Sequence, residues 1–305
     1  MKLLEKFKIP KMISSNVFVA VACPHDEESL TTLTKALELN IITGAYLCGD
    51  EKIIKKVANQ NNINLDSFII MHGETMEESA NNVGILIMDD KAQFPMKGLI
   101  DTSVFLRAML KREYGLRTGG LLSHLMLLHR ESDDLVYIVT DGGMNIAPGV
   151  HEKAEIIKTA VELAEACGID NPVVAPLTAK EKVYDKMPAT VDADKLRQMN
   201  VDGEIKGCRV SGPLQFDNAI SVESEKIKGV KDAYAGKANI LLAPDIESGN
   251  ILAKTMTYLA GFIGYGLIMG AKVPMVVVSR SDGEIEKLGS LYLARLVYEK
   301  GKDNA

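Results

Sequence analysis

The sequence lacks the motifs by which metal ions and nucleotides are most often bound. Its four cysteines, Cys23, Cys48, Cys167 and Cys208, are far apart and form no C-x-x-C pair. We therefore expect reduced, buried thiols and no zinc site. No H-E-x-x-H, G-x-x-x-x-G-K-[ST] or G-x-S-x-G motif is present, so the sequence carries no signature of a zinc hydrolase, a P-loop nucleotidase or an α/β-hydrolase.

The chain also lacks an excess of positive charge and a long apolar run. A net charge of −6 and a pI near 5.5 argue against a surface that follows nucleic-acid phosphates. No apolar run reaches the roughly 18 to 20 residues that span a bilayer, and the charged N-terminus is unlike a signal peptide. We expect a cytoplasmic protein with neither a nucleic-acid nor a membrane partner.

Short apolar runs alternate with amphipathic helical patterns, which predicts an α/β protein with two domains in 305 residues. Two apolar runs flank the polar turn 131–134, so we expect an antiparallel strand pair and a mixed sheet. The pattern restarts near His151. We predict a first domain of residues 1–141 plus 281–305 and a second of 142–280, with 141–143 as a flexible joint.

The segment 274–284 places a polar cluster after an apolar strand. Open α/β sheets bind ligands at such strand ends. Ser281 and Glu284 match a capping box, so we expect a helix from Ser281 whose free N–H groups, with Ser279 and Arg280, suit a phosphate or an oxyanion. The alternative is that Ser281 only caps the helix while Arg280 pairs with a surface carboxylate.

A second cluster, 244–250, also follows an apolar strand and precedes an apolar helix predicted over 250–265. Gly249 allows close backbone approach to a ligand, and Asn250 offers a donor and an acceptor. Lys254 lies one helical turn further on. An ordinary loop capped by Ser248 or Asn250 is the alternative.

Four glycines, Gly261, Gly264, Gly266 and Gly270, superficially suggest a dinucleotide fingerprint. That motif has to follow a strand and open a helix. Here the glycines are predicted to end a helix and precede a strand. The pattern therefore gives no support to a nicotinamide enzyme.

Seven stretches in the same order resemble the phosphotransacylase family, and more closely its butyryl branch than its acetyl branch. They are Met96–Ser103, Gly115–Gly119, Thr140–Pro148, Lys186–Ala193, Gly212–Ala219, Pro244–Asn250 and Pro274–Asp282. The resemblance implies two α/β domains with mixed sheets around a central cleft, similar to isocitrate and isopropylmalate dehydrogenases, and a homodimer formed through the second domain. It also implies transfer of a short-chain acyl group between acyl-CoA and phosphate. Coenzyme A and phosphate are then substrates, and no tightly bound cofactor is expected.

The resemblance assigns catalytic roles to Ser279 and Arg280 and a substrate contact to Arg107. Ser279 and helix N–H groups would stabilise the tetrahedral oxyanion, while the guanidinium groups would neutralise phosphoryl oxygens. A carboxylate is expected as general base for the thiol. Asp282 fits the butyryl pattern, and Glu286 lies at the interval of the acetyl branch. Further substrate contacts are expected at Lys97, Thr102, Asn145, Asn250 and Lys254.

Three rival functions stay open at this point. One is a metal- and NAD-dependent β-decarboxylating dehydrogenase, which would need clustered aspartates that the strand ends lack. Another is a non-catalytic CoA-binding relative. The third is a phosphate acetyltransferase, because the residues that set acyl-chain preference are not visible in the sequence.

Overall fold

The computed structural model describes residues 2–7, 16–279 and 282–303. The chain divides into two compact units. Unit 1 consists of Met1–Gly120 and Tyr265–Ala305, and unit 2 of Leu121–Gly264. Each unit is described by itself.

The described residues form strands and helices in alternation. The strands are β1 (Phe18–Ala22), β2 (Gly44–Gly49), β3 (Phe68–His72), β4 (Phe94–Lys97), β5 (Ser123–Arg130), β6 (Leu135–Thr140), β7 (Val173–Pro176), β8 (Arg209–Val210), β9 (Ile240–Leu242), β10 (Ile263–Met269) and β11 (Met275–Val276). The helices are α1 (Lys2–Lys6), α2 (Glu27–Glu38), α3 (Glu51–Gln60), α4 (Met76–Met88), α5 (Thr102–Met109), α6 (Val150–Ala166), α7 (Pro188–Val201), α8 (Phe216–Ile220), α9 (Val222–Lys228), α10 (Ile246–Leu259) and α11 (Glu284–Asp303). Over the described part of the chain, none of the helices is long and apolar enough to cross a membrane.

In unit 1 the strands lie in the order β3-β2-β1-β4-β11-β10. The pairs β3–β2, β2–β1, β1–β4 and β4–β11 are parallel, and β11–β10 is antiparallel. The carboxyl ends of the five parallel strands therefore lie on one edge of the sheet. All four residues of β4 are buried, as expected for a strand covered on both faces.

Helix starts in unit 1 follow local capping chemistry. Asp26 caps α2 by accepting the Ser29 N–H at 2.8 Å, and Thr75 with Glu78 forms a capping box at α4. These side chains satisfy N–H groups that have no partner within the helix. The sequence therefore sets where α2 and α4 begin.

In unit 2 the strands lie in the order β5-β6-β9-β7-β8. β5 and β6 form an antiparallel pair, and β6, β9, β7 and β8 are parallel. A core of buried side chains packs α10 against this sheet, including Leu128, Val139, Leu241, Met256 and Phe262. The carboxyl ends of the four parallel strands again share one edge.

The predicted mixed α/β class and the antiparallel pair are confirmed. The units divide elsewhere than predicted, however: unit 2 begins at Leu121 and ends at Gly264. The physical reason is pairing, because β6 is hydrogen-bonded to β9, so the β5–β6 hairpin is part of unit 2. The helix predicted over 250–265 is wrong at both ends: α10 spans Ile246–Leu259, and β10 starts at Ile263.

All four cysteines are free and buried, which confirms the prediction of reduced thiols. Burial raises the pKa of Cys48 to about 12 and that of Cys208 to about 11, and it also raises the pKa values of Cys23 and Cys167. Thiolates are the reactive form, so these thiols are poor nucleophiles.

Candidate active site

Two strand ends in unit 1 bring predicted site residues to the same sheet edge. Met96 of β4 is paired in parallel with Val276 of β11. Lys97 ends β4, and Ser279 lies three residues beyond Val276. Since parallel neighbouring strands end together, the Lys97 and Ser279 segments leave the sheet side by side.

Ser279 lies in a tight turn closed by Asp282. The Ser279 N–H donates to Asp282 Oδ2 at 2.7 Å, and the Asp282 N–H donates to the Ser279 carbonyl at 3.1 Å. The Ser279 residue is exposed, whereas β11 before it is buried. Asp282 therefore fixes the backbone from which the Ser279 hydroxyl projects. Arg280 and Ser281, which was predicted to cap the helix, lie outside the described residues.

Glu286, the other candidate base, lies in the first turn of α11. Its Oε2 lies 3.3 Å from the point where a Cβ on Gly283 would stand, so the carboxylate folds back over the start of the helix. It makes no hydrogen bond or ion pair with any residue in the described ranges. Glu286 thus offers a carboxylate beside the Asp282 turn.

Lys97 has a structural task at the end of β4. The side chain is only 4% exposed, and its Nζ donates to the carbonyls of Gly98 and Ile100, both at 3.2 Å. These bonds fold the connection between β4 and α5. Lys97 therefore holds the turn that places Thr102, and it contributes positive charge just below the sheet edge.

Thr102 and Arg107 lie at opposite ends of α5. Thr102 is the first residue of the helix, Arg107 is in its last turn, and both are exposed. Phe105 and Met109 bury the other side of the helix. Arg107 makes no hydrogen bond or ion pair with the residues described here. Its guanidinium is therefore uncommitted, as a phosphate-binding group requires.

In unit 2, Asp141 organises the loop that follows β6. Its Oδ1 accepts the N–H groups of Gly143 and Met144, both at 2.8 Å. Its Oδ2 accepts the Asn145 amide at 2.6 Å and the His124 N–H at 3.1 Å. Asp141 is 2% exposed. The predicted flexible joint at 141–143 is therefore wrong, because four hydrogen bonds to one buried carboxylate order this loop.

Asn145, predicted to bind substrate, is half-buried and largely committed to the same loop. Its Nδ2 donates to Asp141 Oδ2 and, at 2.8 Å, to the Leu122 carbonyl. An amide nitrogen has two protons, so both donors are used. Only Oδ1 is left for a ligand, and Asn145 acts chiefly as a positioning residue.

The start of α10 presses directly on the Asp141 loop. A Cβ on Gly249 would lie 2.4 Å from the Asp141 carbonyl, and one on Gly142 would lie 2.9 Å from the Asn250 N–H nitrogen. Asn250 Nδ2 donates to the Gly142 carbonyl at 3.1 Å. Glycine at 142 and 249 is thus required by the close approach of two backbones, which places the exposed Asn250 beside the loop.

Helix α10 is capped by Asp245, whose Oδ1 accepts Ser248 N–H at 2.8 Å and Ser248 Oγ at 2.6 Å. The predicted caps Ser248 and Asn250 are replaced by Asp245. The Ser248 hydrogen bonds lower the pKa of Asp245. The cap is ionised at neutral pH and complements the positive end of the helix dipole.

Lys254 lines a small cavity of about 20 Å³ with His124, Gly142 and Asn250. Its Nζ lies 5.7 Å from the centre of the Tyr258 ring. Burial lowers the pKa of His124. The negative charge of Asp141 raises this pKa in part, and the positive charge of Lys254 lowers it. His124 is therefore neutral near pH 7. Sequence reasoning missed His124, which is the second residue of β5.

Residues 74–294 match the family described as phosphate acetyl/butaryl transferase. The chain is 41% identical over 284 residues to the phosphate butyryltransferase of Clostridium beijerinckii, covering 93% of this chain and 94% of that protein. It is 36% identical to the phosphate acetyltransferase of Rickettsia typhi, over 93% of this chain and 81% of that protein.

A solved structure of a branched-chain phosphotransacylase from Enterococcus faecalis V583 matches with a TM-score of 0.81 and 31% identity, covering 92% of this chain and 99% of the other. The fold class is thereby confirmed in its coarse form, as a mixed α/β phosphotransacylase fold. The closer likeness to isocitrate and isopropylmalate dehydrogenases stays a prediction. On the family match and the identity along most of its length, the chain belongs to the phosphate acetyl/butaryl transferase family.

Proposed function

We propose that this chain is an acyltransferase that moves a short-chain acyl group, butyryl or branched-chain, between acyl-CoA and inorganic phosphate. The products are acyl phosphate and coenzyme A. The observation that carries the proposal is the Ser279–Asp282 turn at the edge of a parallel sheet, in a chain 41% identical to a phosphate butyryltransferase.

The reaction requires stabilisation of one anionic intermediate. A phosphate oxygen attacks the thioester carbonyl, the carbonyl oxygen becomes an oxyanion, and the tetrahedral centre collapses as the CoA thiolate leaves. An exposed hydroxyl whose backbone is held in place can donate to such an oxyanion without reorganisation. We assign this role to Ser279, because the Asp282 hydrogen bond fixes its backbone.

A carboxyl group has to return a proton to the leaving thiolate, and to remove it in the reverse direction. The Asp282 carboxylate is bound to the Ser279 backbone, whereas the Glu286 carboxylate makes no hydrogen bond with the described residues. We propose that Asp282 is the first choice for this proton transfer and that it also positions Ser279. Glu286 is the second choice, and comparison of pH profiles for Asp282→Asn and Glu286→Gln separates the two.

Arginines and lysines are proposed to supply positive charge to the substrates. We propose that Arg107 and Arg280 bind phosphoryl oxygens, because a guanidinium offers parallel N–H donors to an anion. Lys254 and Asn250 are proposed as substrate contacts, since both line the small cavity beside the Asp141 loop. Lys97 and Thr102 are proposed as further substrate contacts at the start of α5.

The homodimer implied by the family resemblance is proposed to form through unit 2. Helix α10 exposes Ile251, Tyr258 and Leu259 at 65%, 70% and 83%, which lie on one side of the helix. Such an apolar face is costly in water. Light scattering of the purified chain, compared with Ile251→Glu, tests the dimer. The cytoplasmic location stays a prediction.

The test of function is phosphate-dependent release of CoA from acyl-CoA, followed with a thiol reagent. We expect turnover with butyryl-CoA or a branched-chain acyl-CoA above that with acetyl-CoA. Higher turnover with acetyl-CoA would favour a phosphate acetyltransferase, consistent with the 36% identical relative. No turnover with any acyl-CoA, together with intact CoA binding, would favour a non-catalytic relative.

A further inference from the structure

Unit 2 contains a large groove that the candidate active site does not use. It has a volume of about 1470 Å³ and is lined by the basic side chains Lys180, Lys182, Arg197, Arg209, Lys228 and Lys231. We call it the basic groove. Its volume exceeds the range of about 300 to 1,000 Å³ that is usual for small-molecule pockets. A lone phosphate or a short acyl chain would leave it mostly empty.

The basic groove runs along the edge strand β8 and the end of α7, and it reaches the loops that follow β7 and β8. These loops lie on the edge of unit 2 where Asn145 and Asn250 also lie. Loop hydrogen bonds connect the strand ends: the Leu177 N–H donates to the Leu242 carbonyl at 2.8 Å, and the Thr178 N–H donates to the Leu214 carbonyl at 2.9 Å. Ligands of open α/β sheets bind at this edge. The groove therefore occupies a position suited to ligand binding.

One of the two acidic side chains in the groove, Glu181, is occupied by its neighbours. It accepts hydrogen bonds from Gln215 Nε2 at 2.9 Å, Asn218 Nδ2 at 2.6 Å and Lys228 Nζ at 3.4 Å. Lys228 also pairs with Asp217 at 2.9 Å. This network connects the loop after β7 with helices α8 and α9. It also neutralises the charge of Lys228, which is paired with Glu181 and Asp217.

The other acidic side chain, Asp232, binds the backbone. Its Oδ2 accepts the Gly212 N–H at 3.0 Å and its Oδ1 accepts the Tyr234 N–H at 2.8 Å. Both oxygens hold the wall of the groove, and neither neutralises one of the lysines. Asp232 therefore shapes the groove, and the lining stays net positive because six basic side chains face two acidic ones.

The remaining cations are mostly uncompensated. Arg197 is bonded to Asp194 on its own helix, and Lys180 lies 4.1 Å from the centre of the Tyr184 ring. Within the part of the chain that the structure describes, the side chains of Lys182, Arg209 and Lys231 form no hydrogen bond or ion pair. Because the whole chain has a net charge of −6, this cluster does not reflect a general excess of positive charge. A concave surface of one sign attracts anions.

We propose that the basic groove binds a nucleotide that carries at least two phosphate groups. Cations spread along a long groove match several anionic groups on one ligand, and the rings of Tyr184 and Tyr234, which also line the groove, offer surfaces on which a base can stack. Two sources share this chemistry. One is the 3′-phosphorylated ADP end of coenzyme A, and this version of the proposal rests on the proposed function. The other is a free nucleotide, and this version is independent of the proposed function.

The binding test uses calorimetry with adenosine 3′,5′-bisphosphate as the probe. We compare the wild-type protein with the triple variant Lys182→Gln, Arg209→Gln, Lys231→Gln. The control is Lys195→Gln, Lys206→Gln, Lys226→Gln, which removes the same number of charges from exposed lysines of unit 2 outside the groove. Circular dichroism confirms that all three proteins are folded.

We expect the wild type and the control to bind the probe, and the groove variant to bind at least about 10-fold more weakly, because charge-assisted hydrogen bonds are lost. Binding by the wild type weakens as salt is added. Failure of the wild type to bind the probe, or equal binding by the groove variant, would overturn the proposal.

Competition with coenzyme A separates the two sources. If the probe and CoA compete, and the groove variant raises the KM for CoA while the KM for phosphate is unchanged, the groove holds CoA. If the probe still binds when CoA is saturating, the groove holds a free nucleotide. A chain without transacylase activity that binds the probe through the groove would refute the proposed function and leave the groove proposal standing.

Discussion

Replacing Gly249 with alanine tests how tightly α10 packs on the Asp141 loop. The new Cβ would lie 2.4 Å from the Asp141 carbonyl oxygen and 3.0 Å from the Gly142 Cα. Real Cβ atoms essentially never approach another atom within 3.0 Å, so one of the two backbones has to move. The loop is held by four hydrogen bonds to the buried Asp141 carboxylate, and its movement strains them.

The magnitude follows from two opposing effects. Alanine is favoured over glycine inside a helix by about 1 kcal/mol, whereas overpacking at a tight contact costs about 1–3 kcal/mol. Because the obstacle is a rigid carbonyl, we expect a cost near the upper end of that range, so that the free energy of unfolding falls by about 1–2 kcal/mol after the helix-propensity gain is subtracted. That corresponds to a fall in Tm of a few degrees.

Gly301→Ala is the matched control, because Gly301 also lies in a helix and a Cβ there would meet no atom within 4 Å. We expect it to stabilise the protein slightly. Chemical and thermal unfolding of both variants measures the difference. A Gly249→Ala protein as stable as Gly301→Ala would refute the close packing of α10 on the Asp141 loop.

Four further predictions concern stability, charge and substrate binding. Asp141→Asn replaces one of the two buried carboxylate oxygens, each of which accepts two hydrogen bonds, with an amide NH2 that accepts none; denaturant unfolding should show a loss of about 2–4 kcal/mol, and wild-type stability would contradict the network. Because burial lowers the pKa of His124 below its ordinary 6.5, the unfolded chain binds a proton before the folded chain does, so stability should fall as pH drops below about 6.5, and a His124→Asn variant that keeps the same pH slope would contradict this. The four buried thiols should resist iodoacetamide at pH 8 in the native protein and react after unfolding, whereas rapid native labelling would contradict their burial. Arg280→Ala should raise the KM for phosphate and lower turnover while the protein stays folded, with Arg112→Ala as the exposed control; unchanged kinetics would remove Arg280 from the mechanism.

The sequence predicts the mixed α/β class and the antiparallel β5–β6 pair, because hydrophobic alternation acts locally. It misplaces the division into units, since the pairing of β6 with β9 joins residues about a hundred positions apart. The sequence also fails to predict β10, because the apolar residues of this strand show no clear periodicity and are compatible with a helix as well as with a strand. Gly261 has a φ of +70°, a left-handed backbone conformation that prevents α10 from continuing beyond this residue.

The site was predicted from residue type and position, and the structure adds what those residues are bonded to. Asn145 has both amide protons engaged, Lys97 folds the turn before α5, and Asp141 orders a loop that its glycines suggested to be flexible. Such commitments depend on contacts between distant segments, which no local pattern contains. Local patterns predict only that ligands bind at strand ends, and the roles of Ser279, Arg280 and Arg107 are implied by the family resemblance.

The most direct test of the central claim is the turnover of Ser279→Ala in phosphate-dependent CoA release from butyryl-CoA. The account predicts that kcat falls by about 100-fold or more, as for removal of one oxyanion donor, with the fold and CoA binding unchanged. Ser103→Ala, at an exposed serine of α5, serves as the control and should keep its activity. A Ser279→Ala enzyme with the wild-type kcat would contradict the assignment of the oxyanion to this hydroxyl.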